Sequence, residues 1–250
     1  MVTRNPIFFA AALAGLLAAG CGAAQRQHAA IEKAGDGLSF DLAKLYVDKG
    51  VHQAAVPLLQ KLLAENPKNE RARVLYGTVL RDQGLYPQAE QQLRYALMLE
   101  PRDAEAHAAL GILLDLERQP RRALTQHEAA VKLAPRVARF RNNLGFSLYL
   151  AGDTHAAIAQ LEQALALDPG LTVAYGNLGF AYGQLREYAR AERTFRAALP
   201  EAGALMNMAL VYERHGELEH ADQLRAQAYT IDPDLRGDEV AGLAPGPSPQ

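Results

Sequence analysis

Residues 138–171, ARFRNNLGFSLYLAGDTHAAIAQLEQALALDPGL, decide the fold. Leu144 and Leu148 stand four residues apart, and so do Ala157 and Leu161, the spacing of one helix face. Gly152 falls between the two runs, where a left-handed backbone costs glycine little. Pro169 ends the second run, because it lacks an N–H donor and clashes with the preceding turn. The stretch is therefore a helix, a tight turn and a second helix. One such hairpin cannot bury its apolar face alone.

The rest of the chain keeps the same beat in both directions. Ala55, Ala89, Ala123, Ala157 and Ala191 are each 34 residues apart, and Pro67, Pro101, Pro135 and Pro169 share that step. Gly77, Gly111, Gly145 and Gly179 form one glycine column; Gly50, Gly84, Gly152 and Gly216 form the turn column. Leu42, Tyr76, Leu110, Leu144, Leu178 and Met208 are the expected large core residues of the first helices. Tyr46, Leu80, Leu114, Leu148, Tyr182 and Tyr212 follow one turn on. Leu59, Leu93, Leu161 and Phe195 are expected to fill the space from the second helices.

This period and these residue types resemble the tetratricopeptide repeat (TPR). The resemblance spans residues 36–235 and implies an all-α fold, a right-handed superhelical solenoid of about six helix-turn-helix repeats. The repeats divide at 36–69, 70–103, 104–137, 138–171, 172–201 and 202–235. Several positions depart from the pattern. Ala43 replaces the packing glycine of the first repeat, Arg118 and Arg186 stand at the turn, and His127 replaces a large apolar residue. Ala191 to Ala221 is a step of 30 residues, and Pro200 arrives early. The second helix of the fifth repeat is thus expected to be about one turn short, with a phase break near 200–203 and a local change of curvature.

Composition excludes several classes. The net charge of -2 lacks the basic excess of a dedicated nucleic-acid binder. The one cysteine, Cys21, cannot form an internal disulfide or a Cys-rich metal site. His215 and His220 are five residues apart with Gly216 between them, whereas two metal ligands one turn apart need a continuous helix. No phosphate loop and no nucleophile–base arrangement is evident. Gly176, Gly179 and Gly183 lie within a helix and are not a dinucleotide fingerprint. The expectation is a protein with no catalytic residues, no metal and no cofactor.

The N-terminus reads as an export signal over residues 1–20. It has a cation, Arg4, an apolar run from Ile7 to Ala19, and Gly20 before Cys21. The run is shorter than the roughly 20 residues a membrane span needs. Leu17-Ala18-Ala19-Gly20-Cys21 resembles a bacterial lipobox, with Ala18 where Leu is commoner. The resemblance implies cleavage before Cys21 and acylation of that cysteine as the lipid anchor. A plain signal peptide with a chance cysteine is the alternative. With Gly22 rather than Asp after the cysteine, the resemblance implies, in a typical diderm cell, sorting to the periplasmic face of the outer membrane. Residues 21–35 then form the lipidated cysteine and tether. The Gly/Pro-rich tail at 236–250 is expected to be disordered.

The candidate binding surface lies on the first helices of repeats 4–6. Asn143, Asn177 and Asn207 share a column, with Asn142 beside the first. Phe146, Phe180 and Leu210 follow three residues later on the same face, and Tyr149 extends it. Gly176 and Gly183 are expected to leave it open. An asparagine amide both donates and accepts, so such a ladder suits a peptide backbone, with the aromatic row as apolar anchors. The alternative is that the asparagines bond neighbouring helices. Lys44, Arg71, Arg81, Asp82, Glu105 and Asp115 make a mixed-charge face in repeats 1–3, read as solvated surface. After the last repeat no covering helix is evident. Its second helix must be its own cap, helped by Asp222, Gln223, Arg225 and Gln227, or a partner or second copy covers it.

Arg141-Asn-Asn-Leu-Gly-Phe, Asn177-Leu-Gly-Phe and Asn207-Met-Ala-Leu-Val-Tyr-Glu, with the short helix before the last repeat, resemble the Flp (tight-adherence) pilus assembly lipoprotein of the TadD type. That family implies a pilotin-like role in the bacterial cell envelope. The partner would be a protein or peptide, a secretin or pilus-assembly subunit, with the lipidated N-terminus on the membrane. A type IV pilus pilotin, or an adaptor for peptidoglycan enzymes or outer-membrane protein assembly, is the other reading.

Overall fold

The computed structural model describes residues 37–236, which fall in two compact units, Met1–Leu75 and Tyr76–Gln250. Cys21, the signal at 1–20, the tether at 21–35 and the tail from 237 onward lie outside the described residues. Helix α1 covers residues 37–48. After it come α2 (His52–Glu65), α3 (Glu70–Asp82), α4 (Tyr86–Leu99), α5 (Ala104–Leu116) and α6 (Pro120–Leu133). Then follow α7 (Ala138–Leu150), α8 (Thr154–Leu167), α9 (Thr172–Gln184), α10 (Tyr188–Arg196), α11 (Glu201–Arg214) and α12 (Leu218–Ile231), with a 3-10 turn at Pro233–Arg236. Every regular element among the described residues is helical, and their order is that of a TPR solenoid.

In the first unit α1 buries Phe40 and Ala43, while α2 buries Ala55, Leu59 and Leu62. Leu42 does not join that core: it is 39% exposed, and Leu38 and Leu45 on the same helix face are exposed too. The expectation for Leu42 fails because no described helix precedes α1 to cover that face.

In the second unit each helix from α4 onward packs against the next in sequence. First helices also touch first helices, α5 with α7, α7 with α9 and α9 with α11, whereas no such contact joins α4, α6, α8, α10 and α12 among themselves. Closer approach on one side means that α5, α7, α9 and α11 form the inner face of this unit and the second helices its outer face. The glycine column makes the hairpins tight. A Cβ at Gly77 would lie 2.7 Å from Leu93 Cγ, and one at Gly145 would lie 2.7 Å from Leu161 Cγ. Such a contact forces the partner side chain to move, so only hydrogen fits there.

The turn inside each hairpin is one motif repeated. In the fourth repeat Gly152 N–H donates to Tyr149 O at 3.1 Å and Asp153 N–H to Leu148 O at 3.0 Å. This is the paired closure that satisfies carbonyls at a helix C-terminus. Gly50, Gly84, Gly152 and Gly216 carry the positive φ the motif requires. Arg118 and Arg186 adopt it as well, at φ 57° and 59°, with the same pair of hydrogen bonds. Packing of the flanking helices outweighs the ~1–2 kcal/mol that a non-glycine residue costs there.

Helix α10 has 9 residues, where α4, α6, α8 and α12 have 14 each. Pro200 stands as the N-cap of α11. At the C-terminal end α12 buries only Ala221 and Ala228. The 3-10 turn packs on it, and Leu235 joins the cluster of Ala202, Leu205, Met206 and Ala228. A turn unforeseen from the sequence therefore adds to the cap.

Candidate peptide-binding face

The asparagine column is interior. Asn142 and Asn143 have no exposed surface, and Asn177 and Asn207 have 2% and 1%. Asn177 Nδ2 on α9 donates to Asn142 Oδ1 on α7 at 2.9 Å, and Asn142 Nδ2 donates to Asn143 Oδ1 at 3.3 Å. The amides thus tie one first helix to the next. A buried helix interface needs such polar groups matched, since an unmatched one costs about 1–3 kcal/mol. Asn207 Oδ1 has no hydrogen-bond partner among the described residues.

The aromatic row divides. Phe180 is buried and packs edge-on against Phe195, with ring centroids 5.1 Å apart. Phe146 and Tyr149 keep a small exposed margin. Leu210 is half-buried against the core that contains Phe180 and Phe195. A pocket of about 180 Å³ opens beside Tyr149 and Phe180, and Gly183, Gln184, Val211, Arg214 and His215 complete its wall. Three first helices, α7, α9 and α11, thus meet at one site on the inner face. Gly183 serves a second purpose: a Cβ there would lie 2.7 Å from Val211 Cγ1, so the glycine lets α11 approach α9. Gly176 is different, because a Cβ there meets nothing within 4 Å.

Arg214 was not among the expected residues, nor were Gln184 and His215. Arg214 Nη1 donates to the Tyr149 hydroxyl, and its guanidinium lies 5.2 Å from the Phe180 ring centroid. His215 Nε2 is 2.8 Å from Gly183 O, which fixes the imidazole at the rim. Gln184 and Arg214 occupy the same place in repeats 5 and 6. That column was available in the sequence, but it lacks the residue identity that made the asparagines conspicuous.

A second pocket, of about 260 Å³, lies between α9 and α10, lined by Tyr175, Leu178, Tyr182, Arg190, Arg193, Thr194 and Ala197. Tyr182 Oη donates to Glu162 Oε1 at 2.6 Å and accepts from Arg190 Nη2 at 2.6 Å, with the guanidinium 3.9 Å from the ring centroid. Burial pushes the Tyr182 phenol up to about 12, helped by its hydrogen bond to Glu162 and the charge of that carboxylate; Arg190 opposes the shift. The groups form a brace between α8, α9 and α10.

Two members of the mixed-charge face are not solvated. Arg81 is 9% exposed and paired with Asp82 at 2.7 Å. Asp115 is buried, accepting from Ser147 Oγ at 2.8 Å and lying 2.9 Å from His127 Nε2. The close approach of α7 to α5 covers Asp115. Ser, His and Asp meet here, but the carboxylate stands between the other two. The imidazole of a hydrolytic triad must touch the hydroxyl it deprotonates, and this one bonds the carboxylate instead, inside the core. No group of three metal-ligating side chains occurs among the described residues, and none of their helices is long and apolar enough to cross a membrane.

Stacked hairpins with glycine packing columns, positive-φ turns and an inner face of first helices define the TPR class. Tetratricopeptide repeat models match the sequence over residues 46–113 and 148–210, and over residues 112–172. The chain belongs to the tetratricopeptide repeat family. No curated protein sequence matches it. Among solved structures it is similar to PilF of Pseudomonas aeruginosa, at 20% identity over 79% of this chain and 92% of that one, with a TM-score of 0.64. It is also similar to PilW, a widely conserved type IV pilus biogenesis factor, at 20% identity over 82% and 95%, with a TM-score of 0.69. A third likeness is to YrrB, a TPR protein with an unusual peptide-binding site, at 20% identity over 70% and 93%, with a TM-score of 0.54. At such identities the likeness is one of fold.

Proposed function

We propose that this chain is a non-catalytic scaffold of the bacterial cell envelope that captures a peptide segment of a protein partner on the inner face of repeats 4–6. The observation that carries this reading is the open site where α7, α9 and α11 converge. It combines aromatic edges, a guanidinium and a side-chain amide in a cleft of about 180 Å³. Apolar anchors with a few directed polar groups are what peptide grooves use. Burial of Asn142, Asn143, Asn177 and Asn207 gives them the task of holding these helices in register behind Phe146, Tyr149 and Phe180. Cys21, acylated after removal of residues 1–20, is the proposed anchor at the periplasmic face of the outer membrane. Tethering there raises the effective concentration of partners without new contacts.

The proposed setting is pilus or secretion-system assembly, in a pilotin-like role toward a secretin or pilus subunit, as the Flp-type resemblance implies. Fold likeness to PilW favours the type IV pilus as the second setting. Pull-down from detergent-solubilised membranes tests the groove. Gly176→Trp places a bulky side chain where the structure has free space, so the fold should survive and the partner should be lost. Retention of every partner by Gly176→Trp would overturn the groove reading. A Cys21→Ser variant that still fractionates with membranes would remove the anchor.

A further inference from the structure

We propose that Arg214 is the receptor for a carboxylate side chain of the captured segment, a deepening that rests on the groove reading above. Among the described residues Arg214 bonds neutral groups: the Tyr149 hydroxyl, to which Nη1 donates, and the Phe180 ring. No carboxylate pairs with it among the described residues. Its neighbour Glu213 is engaged by Arg225, which also reaches Asp222. Several arginines of this unit find acids, as Arg81 finds Asp82 and Arg139 finds Glu105.

The two neutral contacts have a clear effect. They hold a planar, permanently charged group in one orientation while leaving Nε and Nη2 without an acceptor among the described residues. A fixed guanidinium with spare parallel donors is matched to a carboxylate, which it can bind through two hydrogen bonds at once. The pocket wall adds a side-chain amide from Gln184 and apolar surface from Phe180 and Val211. His215 spends Nε2 on Gly183 O and so orients its ring at the rim. The complementary ligand is an acidic side chain beside an apolar one. An internal residue of an extended segment fits better than a chain end, because the same inner face runs on along α9 to the open position at Gly176.

The test uses the full chain and two pools of acetylated, C-terminally amidated heptapeptides. The other positions are randomised over uncharged residues, and the fourth is Glu in one pool and Gln in the other; a further Gln pool is made with free C-termini. Retained peptides are counted by mass spectrometry and their affinities measured by fluorescence anisotropy. The Glu pool should be retained over the Gln pool by about tenfold, the usual scale of a charge-assisted hydrogen bond. Arg214→Gln should abolish that preference, Arg214→Lys should keep part of it, and Gly176→Trp should remove binding of both pools. Equal retention of the two pools, or a preference unchanged in Arg214→Gln, overturns the carboxylate site while leaving the groove. Binding only by a Gln pool with free C-termini overturns it in favour of a chain-end carboxylate. Retention of neither pool defeats the groove reading and this inference with it. Thermal unfolding of each variant verifies the fold, which the exposed position of Arg214 leaves undisturbed.

Discussion

His127 and Asp115 are joined 2.9 Å apart, Nε2 to Oδ2, with the imidazole wholly out of solvent. The same two places in the sixth repeat hold Arg225 and Glu213, also bonded to each other. The fourth repeat instead has Leu161 packed into the space that Gly145 leaves. A second helix can thus be fastened to its first by an apolar plug or by a hydrogen-bonded polar pair.

His127→Leu restores the apolar plug but strands the Asp115 carboxylate, which keeps Ser147 alone. The expected cost is about 3 kcal/mol, since breaking a buried pair leaves an uncompensated charge. His127→Leu combined with Asp115→Leu should recover most of that loss. Urea unfolding of the two variants measures both effects; a single substitution as stable as the double would show the pair to be uncoupled.

Arg118 holds a left-handed backbone at φ 57°, and no ion pair joins it among the described residues. Arg118→Gly should therefore stabilise the protein by about 0.5–1 kcal/mol, the strain relieved less the entropy glycine adds to the unfolded chain. Gly152→Ala should lose a similar amount. Both are read as shifts of the thermal midpoint in opposite directions.

Asn177→Ala removes the donor that reaches Asn142 across the helix interface. Stability should fall by about 1–2 kcal/mol. A residue whose only task is to read a ligand would leave the melting curve unmoved, so calorimetry separates the two roles.

Tyr182 makes stability fall in alkali. Its folded phenol titrates at about 12 against an ordinary value of 10.0, so the folded state holds the proton more tightly. That contribution is complete below pH 10, declines as the unfolded chain ionises, and is gone once pH passes about 12. Denaturation at stepped pH should show a shallower alkaline decline in Tyr182→Phe than in wild type.

The hairpins were legible because glycine, alanine and proline mark them at fixed intervals, and the positive φ of Arg118 and Arg186 follows from alignment with glycines. Partnership was less legible. His127 stood out as a departure, but its bond to Asp115 depends on how far one helix turns against the other, and its indirect link to Ser147 crosses into the next repeat. The asparagine column was visible, while its burial was not, because one helix face can serve either a groove or the neighbouring helix. Arg214 reaches Tyr149 from 65 residues away, across two hairpins, and no periodic column pairs them. Leu42 misled because its place in the repeat is apolar wherever a hairpin precedes it.

The nine-residue α10 also limits how the chain could be rearranged by gene duplication. Repeats two to four share one reading frame of 34 residues, so copying or deleting any of them would join matching ends. A copy of the fifth would carry its shortened helix and Pro200 with it, and would suit only a neighbour that starts as α11 does. The fifth and sixth repeats would therefore have to be copied together to keep matching ends, and the cleft around Tyr149, Phe180 and Arg214 straddles the seam between that pair and the evenly spaced part of the array.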